Sequence, residues 1–407
     1  MNYKLTVLIL IGVVFVYKLL LTLLRLRSTH NAIPANVADI YDAETYKKWC
    51  AYRTDKCRLA IFESLVCLAV DMVLIATDAY AAFAGLFPKT VFWQLFAVLL
   101  LSSLTVIATL PFTYYDTMKI EERYGFNRTK HGTFFADQLK EFLISLGILT
   151  LITWILSLLY RWLGDWMIVA FAAVLCLLIF GITFLYPLLS RAFNKFTPLE
   201  EGELRDKLTA LLSKHGYHVR AIEVMDGSRR STKANAYFAG FGRSKSIVLY
   251  DTLIDKLSPD EICAVFAHEL GHGVHKDTLK GQLISILQMG LLSVLAWLTI
   301  RTTSLYPQFG FDEVNYGFAV LLILSVEFAL IAPLYGIAAN ALSRRHEYRA
   351  DNFAVKEGYG ESLITGLKKL VQTDFGDVAP SPVLILLEYS HPSLSQRIDA
   401  IEAEMSK

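Results

Sequence analysis

Three stretches of this 407-residue chain run at membrane-crossing length without one charged residue: Val91–Thr113, Phe142–Tyr160 and Trp166–Ser190. Gly281–Ile300 is a fourth. About 20 apolar residues cross a hydrocarbon layer roughly 30 Å thick, so each reads as a membrane span. Leu5–Leu24 is broken only by Lys18, whose long stem could carry its amine toward water or protein. Ile61–Phe87 and Val314–Ser343 complete a set of seven. A signal peptide competes for the first run, but the apolar core is too long and Lys4 is its only early charge, so an uncleaved span is expected.

Composition agrees. Hydrophobic residues make up 54% and charged residues 19%, against about 45–50% and about 25% in soluble domains. A net charge of +1 excludes a nucleic-acid binder working through bulk positive charge, and equally a disordered acidic or basic chain. The five cysteines (Cys50, Cys57, Cys67, Cys176, Cys263) are odd in number and lack paired spacing, so neither a disulfide framework nor a zinc ribbon is implied.

Loop charge gives sidedness. Arg25–Arg58 holds seven Lys/Arg and Tyr114–Glu141 five, while the alternate loops hold only Lys89, Arg161 and Arg301. The positive-inside rule makes the first group cytoplasmic. The amino terminus is then outside, and the connection 191–280 and the carboxyl terminus lie on the cytoplasmic side. Glu63, Asp71, Asp78 and Glu327 interrupt the spans, so each needs a local partner or a hydrated interior.

The connection reads as a small α+β unit. Pro198–Gly216 is an amphipathic helix closed by glycine, and His218–Val224, Ser246–Tyr250 and Ala234–Gly242 are strands. Ser258-Pro259-Asp260-Glu261 then opens a helix with a serine cap and proline in its first turn.

That helix contains His268-Glu269-Leu270-Gly271-His272. Residues four apart share a helix face, so both imidazoles can meet one metal ion, with Glu269 placed to act on a water beside it. This is a zinc-peptidase pattern, and catalytic zinc usually takes a third protein ligand. A third histidine at the extended-motif position is ruled out because Thr278 stands there. His275 shares the helix but would strain to reach the same ion, so it is read as a surface residue. Glu347 and Asp351, four apart just past the last span, are the better source: one could bind metal while the other supports a ligand histidine.

At this point the chain resembles the type I CAAX prenyl proteases, integral-membrane zinc endopeptidases. The stretches that carry the likeness are Ile120-Glu-Glu-Arg-Tyr-Gly-Phe-Asn-Arg-Thr129, Asn235-Ala-Tyr-Phe238, Ile247–Leu253, the His268–His272 helix, Ser343–Ala354 and Ser390–Ile398. The resemblance implies a mainly α membrane protein: seven transmembrane helices around a large intramembrane chamber, with a small α+β zinc-protease unit on the cytoplasmic side. It implies one Zn2+ per chain on His268, His272 and Glu347, with Glu269 as base, which leaves Asp351 of the i, i+4 pair to support a ligand. It also implies that Asn235 contacts substrate and that His391 and Arg397 lie near the scissile carbonyl. His346 departs from the family pattern and is given no role.

The expected organisation is 1–190 for five spans, 191–280 for the α+β unit, 281–343 for the last two spans, and 344–407 completing the site. The expected substrate is a peptide or protein at the membrane, lipid-modified or not, and monomer is the default state. The chain's length and its final residues, without a retention signal, point to a bacterial inner membrane rather than the endoplasmic reticulum. Two rival readings stand beside this one. One is an HtpX-like quality-control protease of membrane proteins; the other is a non-catalytic transporter using the intramembrane acids.

Overall fold

The computed structural model describes residues 2–127, 129–170, 172–174, 176–177, 181, 191, 194–229, 236–239 and 244–407. The chain divides into two compact units: Met1–Thr29, Lys47–Cys176 and Ile286–Tyr335 form one, and His30–Tyr46, Leu177–Ser285 and Gly336–Lys407 the other.

The first unit is built from apolar helices. Among the described residues five helices are long and apolar enough to cross a membrane: Tyr3–Ser28, Ala43–Ala76, Val91–Tyr124, His131–Ala170 and Asp277–Arg301. Tyr316–Val326 is a shorter apolar helix, continued by a wide turn at Glu327–Ile331 and by Ala332–Lys356. The expected span at 166–190 lies largely outside the described residues.

Two boundaries differ from expectation for identifiable reasons. The second helix begins at Ala43 rather than Ile61 because its polar turns find partners on the third. Lys56 Nζ meets Asp116 Oδ2 at 2.7 Å and Glu121 Oε1 at 2.8 Å, Tyr52 donates to Glu121 at 2.8 Å, and Arg123 pairs with Asp55 at 2.8 Å. The same helix stops at Ala76, where Asp78 adopts a left-handed backbone and pairs with Lys4 at 2.8 Å.

The other intramembrane acids divide in kind. Glu327 accepts a hydrogen bond from Gln288 Nε2. Glu63 and Asp71 instead line a cavity of about 450 Å³ together with Lys18, Ser102 and Ser325.

The second unit holds a four-stranded sheet: β1 (Phe196–Pro198), β2 (His218–Met225), β3 (Ala236–Ala239) and β4 (Ser244–Tyr250), in the order β1-β2-β4-β3. β2 and β4 run parallel, and β3 pairs antiparallel to β4, with Ala236 opposite Leu249. The expected helix at 198–216 is shorter, Glu203–Lys214, because Pro198 ends strand β1 and Gly202 opens the helix. Its Leu208, Leu211 and Leu212 join Ile247, Leu249, Ile262, Phe266 and Leu270 in one apolar core.

Candidate metal centre

The helix carrying the histidine motif spans Pro259–Val274, and its start is fixed by a reciprocal cap. Ser258 Oγ accepts from the Glu261 amide at 3.3 Å while Glu261 Oε2 accepts from the Ser258 amide at 2.8 Å. Two amides that a helix start leaves unpaired are thereby satisfied. Cys263, Phe266, Ala267 and Leu270 anchor the helix in the core, and His268 and His272 project together one turn apart.

The helix Ala332–Lys356 passes close by because position 271 has no side chain. A Cβ on Gly271 would stand 3.1 Å from Ala350 Cα and 3.1 Å from Phe353 Cβ. That approach presses Glu347 and Asp351, both buried, against the two histidines.

The three side chains converge as a triangle in which Glu347 meets each histidine through a different oxygen. His268 Nε2 and His272 Nε2 are 3.2 Å apart, His272 Nε2 lies 3.3 Å from Glu347 Oε1, and His268 Nε2 lies 3.5 Å from Glu347 Oε2. Donors about 2.0–2.1 Å from a tetrahedral zinc ion stand about 3.3 Å from one another. Among the described residues, His268, His272 and Glu347 are the group able to hold a metal ion.

Each outer ring nitrogen has a carboxylate partner. His268 Nδ1 faces Asp351 Oδ1 at 2.8 Å, and His272 Nδ1 faces Asp277 Oδ2 at 3.2 Å. Carboxylates only accept, so a proton on each Nδ1 would be donated to them and would leave each Nε2 lone pair for a metal. Two ring nitrogens and a carboxylate at this separation suit a shared cation. Glu347 Oε2 is also buried, with His391 Nδ1 at 3.0 Å as its nearest ion-pair partner among the described residues. The residues fit a divalent metal.

Electrostatics point the same way. Burial alone would push the Glu347 carboxyl up, but its contacts with His272 and His391 and the nearby Arg397 hold it far below the usual carboxylate range. Burial likewise opposes ionisation of Asp351, and His268 and Arg397 outweigh it, keeping the carboxyl low. His272 is pulled the other way: burial disfavours its charge, yet Glu347 and Asp277 raise the imidazole above its ordinary value. The site is shaped to hold positive charge.

The remaining expected residues fall as follows. Glu269 is half-buried and forms no hydrogen bond or ion pair among the described residues, leaving its carboxylate uncommitted. His391 is exposed, with Nδ1 3.0 Å from Glu347 Oε2. Arg397 grips Asp351 with Nε at 2.9 Å and Nη2 at 2.6 Å, and its Nη1 is 3.6 Å from Glu347 Oε2. Arg344 Nη1 binds the Ile385 and Tyr389 carbonyls at 2.8 and 2.7 Å, fixing the segment before His391. His275 Nδ1 stands 2.7 Å from the Gly271 carbonyl. Asn235 lies outside the described residues, immediately before strand β3. The sequence reading passed over Asp277, which sits beyond the motif helix where no periodicity points back to it.

Residues 6–195 match a family model described as the CAAX prenyl protease amino-terminal region with five membrane helices, and residues 198–405 match peptidase family M48. The chain belongs to peptidase family M48. Similar M48 relatives include CAAX prenyl protease 1 of Saccharomyces cerevisiae, 33% identical, covering 92% of this chain and 89% of that protein. The Arabidopsis thaliana homologue is 32% identical, covering 92% of this chain and 91% of its own. The crystal structure of S. mikatae Ste24p superposes with a TM-score of 0.87 at 28% identity, over 99% of both chains. As a member of the M48 family the chain is a multi-pass membrane metalloprotease.

Proposed function

We propose that this M48 protease is a zinc endopeptidase cleaving near the carboxyl terminus of membrane-associated CAAX-type substrates, prenylated or not. His268, His272 and Glu347 hold one Zn2+, and the convergence of these donors, with contacts of 3.2, 3.3 and 3.5 Å, carries this reading. When bound, zinc supplies Lewis acidity, polarising a carbonyl oxygen and acidifying water.

The protein's own groups do the rest. Glu269, uncommitted beside the first ligand, takes the proton of the attacking water and delivers it to the leaving amine. The exposed His391 offers a donor where negative charge develops on the carbonyl oxygen. Arg397 acts through Asp351, which two of its nitrogens hold, and adds positive charge beside Glu347. Among the described residues β3 is one of the two edge strands of its sheet, so extended substrate backbone pairs beside it, with Asn235 contacting the chain.

In the membrane, the five long helices, the segment at 166–190 and the helix from Tyr316 make seven spans around a chamber. The cavity lined by Lys18, Glu63 and Asp71 supports that chamber. The loop charges favour an outside amino terminus, with the connection 191–280 and the residues from 344 onward on the cytoplasmic side, in a monomer.

The test is a Glu269→Ala protein in detergent. It is expected to retain one zinc per chain and to lose cleavage of a quenched CAAX-type peptide. Retained cleavage overturns the assignment of Glu269, and zinc content unchanged by His268→Ala overturns the ligand set. A peptide-library digest reads the substrate class: strict carboxyl-terminal products support it, and broad internal cleavage supports quality control instead.

A further inference from the structure

Asp277 is 8% exposed, and its two oxygens are divided between different jobs. Oδ2 faces His272 Nδ1 at 3.2 Å. Oδ1 is ion-paired with Arg349, with Lys280 Nζ at 3.4 Å and His346 Nδ1 at 3.7 Å. The carboxylate therefore lies within a cluster of cations, but only its bond to His272 leads toward the donor triangle.

The backbone is bent to make that bond. The motif helix ends at Val274, the next helix begins at Asp277, and between them Lys276 adopts φ 57°. A non-glycine residue in the left-handed region is disfavoured by its Cβ, and such strain persists where the surrounding structure enforces it. Here the sharp reversal returns the chain to the histidine it has just passed.

Seen with the other ligand, the arrangement repeats. His268 is backed by Asp351, which Arg397 holds; His272 is backed by Asp277, which Arg349 holds. Glu347, Arg349 and Asp351 all lie on one helix, Ala332–Lys356. That helix thus supplies a donor to the triangle, the carboxylate behind one histidine and the arginine behind the carboxylate of the other.

We propose that Asp277 is a positioning residue for His272, fixing its tautomer and ring orientation toward the metal, and that Arg349 acts on His272 only through Asp277. The inference rests on the zinc-site reading above. A histidine whose outer nitrogen donates to a carboxylate is a stronger and better-oriented ligand, and removing such partners typically weakens metal binding about 10–100-fold.

The test measures zinc affinity of the full-length protein by chelator competition for Asp277→Asn, Asp277→Ala, Arg349→Gln and the double variant Asp277→Asn/Arg349→Gln. Zinc binding is expected to weaken about 10–100-fold for both Asp277 variants. The loss should be smaller for Arg349→Gln, and the double variant no worse than Asp277→Asn alone. The visible spectrum of the cobalt-substituted Asp277→Asn protein should shift, while that of Arg349→Gln, which loses the same ion pair but keeps the bond to His272, stays nearer the parent's, which separates positioning from general packing. The near-isosteric Asp277→Asn carries the test if Asp277→Ala fails to fold. Asp277→Asn binding zinc within twofold of the parent with an unshifted cobalt spectrum overturns the proposal. If His272→Ala also keeps its zinc, the zinc-site reading falls and this inference with it. If His272→Ala loses zinc while Asp277→Asn does not, the positioning role alone is wrong.

Discussion

Gly271→Ala tests whether the metal centre depends on how closely two helices approach. The added Cβ would meet Ala350 Cα at 3.1 Å, Phe353 Cβ at 3.1 Å and Ala350 Cβ at 3.4 Å. None of these atoms is the tip of a flexible side chain. Carbon atoms in ordinary contact lie about 3.5–4.0 Å apart, so the helices must part by roughly 0.4–0.9 Å. Overpacking of this kind costs about 1–3 kcal/mol. Alanine recovers about 1 kcal/mol of helix propensity, so the net loss of stability is small, about 0–2 kcal/mol. The site fares worse, because its triangle spans the same contact: His272 to Glu347 at 3.3 Å and His268 to Glu347 at 3.5 Å both widen. A misplacement of about 1 Å at a reacting centre costs about 100-fold, so a fall in kcat/KM of about 10-fold or more is expected, with weaker zinc binding. Chelator competition, cleavage of a quenched peptide and a thermal melt read the three quantities separately. Gly273→Ala is the internal control: among the described residues its Cβ would meet Tyr217 Oη, at 4.0 Å, and nothing nearer, so zinc binding and cleavage should match the parent. A Gly271→Ala protein that binds zinc and cleaves like the parent refutes the reasoning.

Two further outcomes follow from the same unit. Burial raises the Glu261 carboxyl, but Lys369 and the Ser258 amide outweigh it and hold the carboxyl below its unfolded value. A lowered carboxyl stabilises the fold above its unfolded pKa, and the contribution fades as pH falls through the folded value. Lys369→Met should therefore lower stability by about 0.5–1 kcal/mol at pH 7, and the gap to the parent in denaturant melts should shrink below about pH 4; a gap constant down to pH 3 contradicts this. Metal removal gives the second: zinc at about 100 times its Kd adds about 2.7 kcal/mol of stability. Chelation should lower the parent's melting midpoint and added zinc restore it, whereas His272→Ala should show little zinc-dependent shift.

The membrane helices were legible because a charge-free run of about 20 residues has few other places to go. Their ends were not, because tertiary partners decide them. Tyr52, Asp55 and Lys56 look like loop residues until Glu121, Arg123 and Asp116 appear beside them. Asp78 resembles a carboxylate stranded in a span, but pairing with Lys4 across 74 residues makes it the residue on which the helix stops. Strand β1 is three residues long, below the length at which alternation carries a signal, and it exists because β2 offers Glu223, Val224 and Met225 to pair with.

At the metal centre the legible part was the part that depends on local geometry. Two histidines four apart on a capped helix share a face whatever the rest of the chain does. Asp351 reaches His268 across 83 residues, and only resemblance singled out Glu347 over Asp351 as the ligand. Asp277 is just five residues from His272, yet no helical spacing joins them, because the contact exists only when Lys276 turns left-handed. The one available signal was an acid placed directly after a helix stop that follows a metal motif. Both supporting carboxylates thus meet their histidines only after the second unit has folded: one through the close helix approach at Gly271, the other through the reversal at Lys276. In the unfolded chain the two histidines remain neighbours, but the third donor and the flanking arginines are dispersed. Metal affinity and folding of this unit are therefore expected to be linked, so a substitution that loosens the contact of the two helices weakens zinc binding even when it touches no ligand.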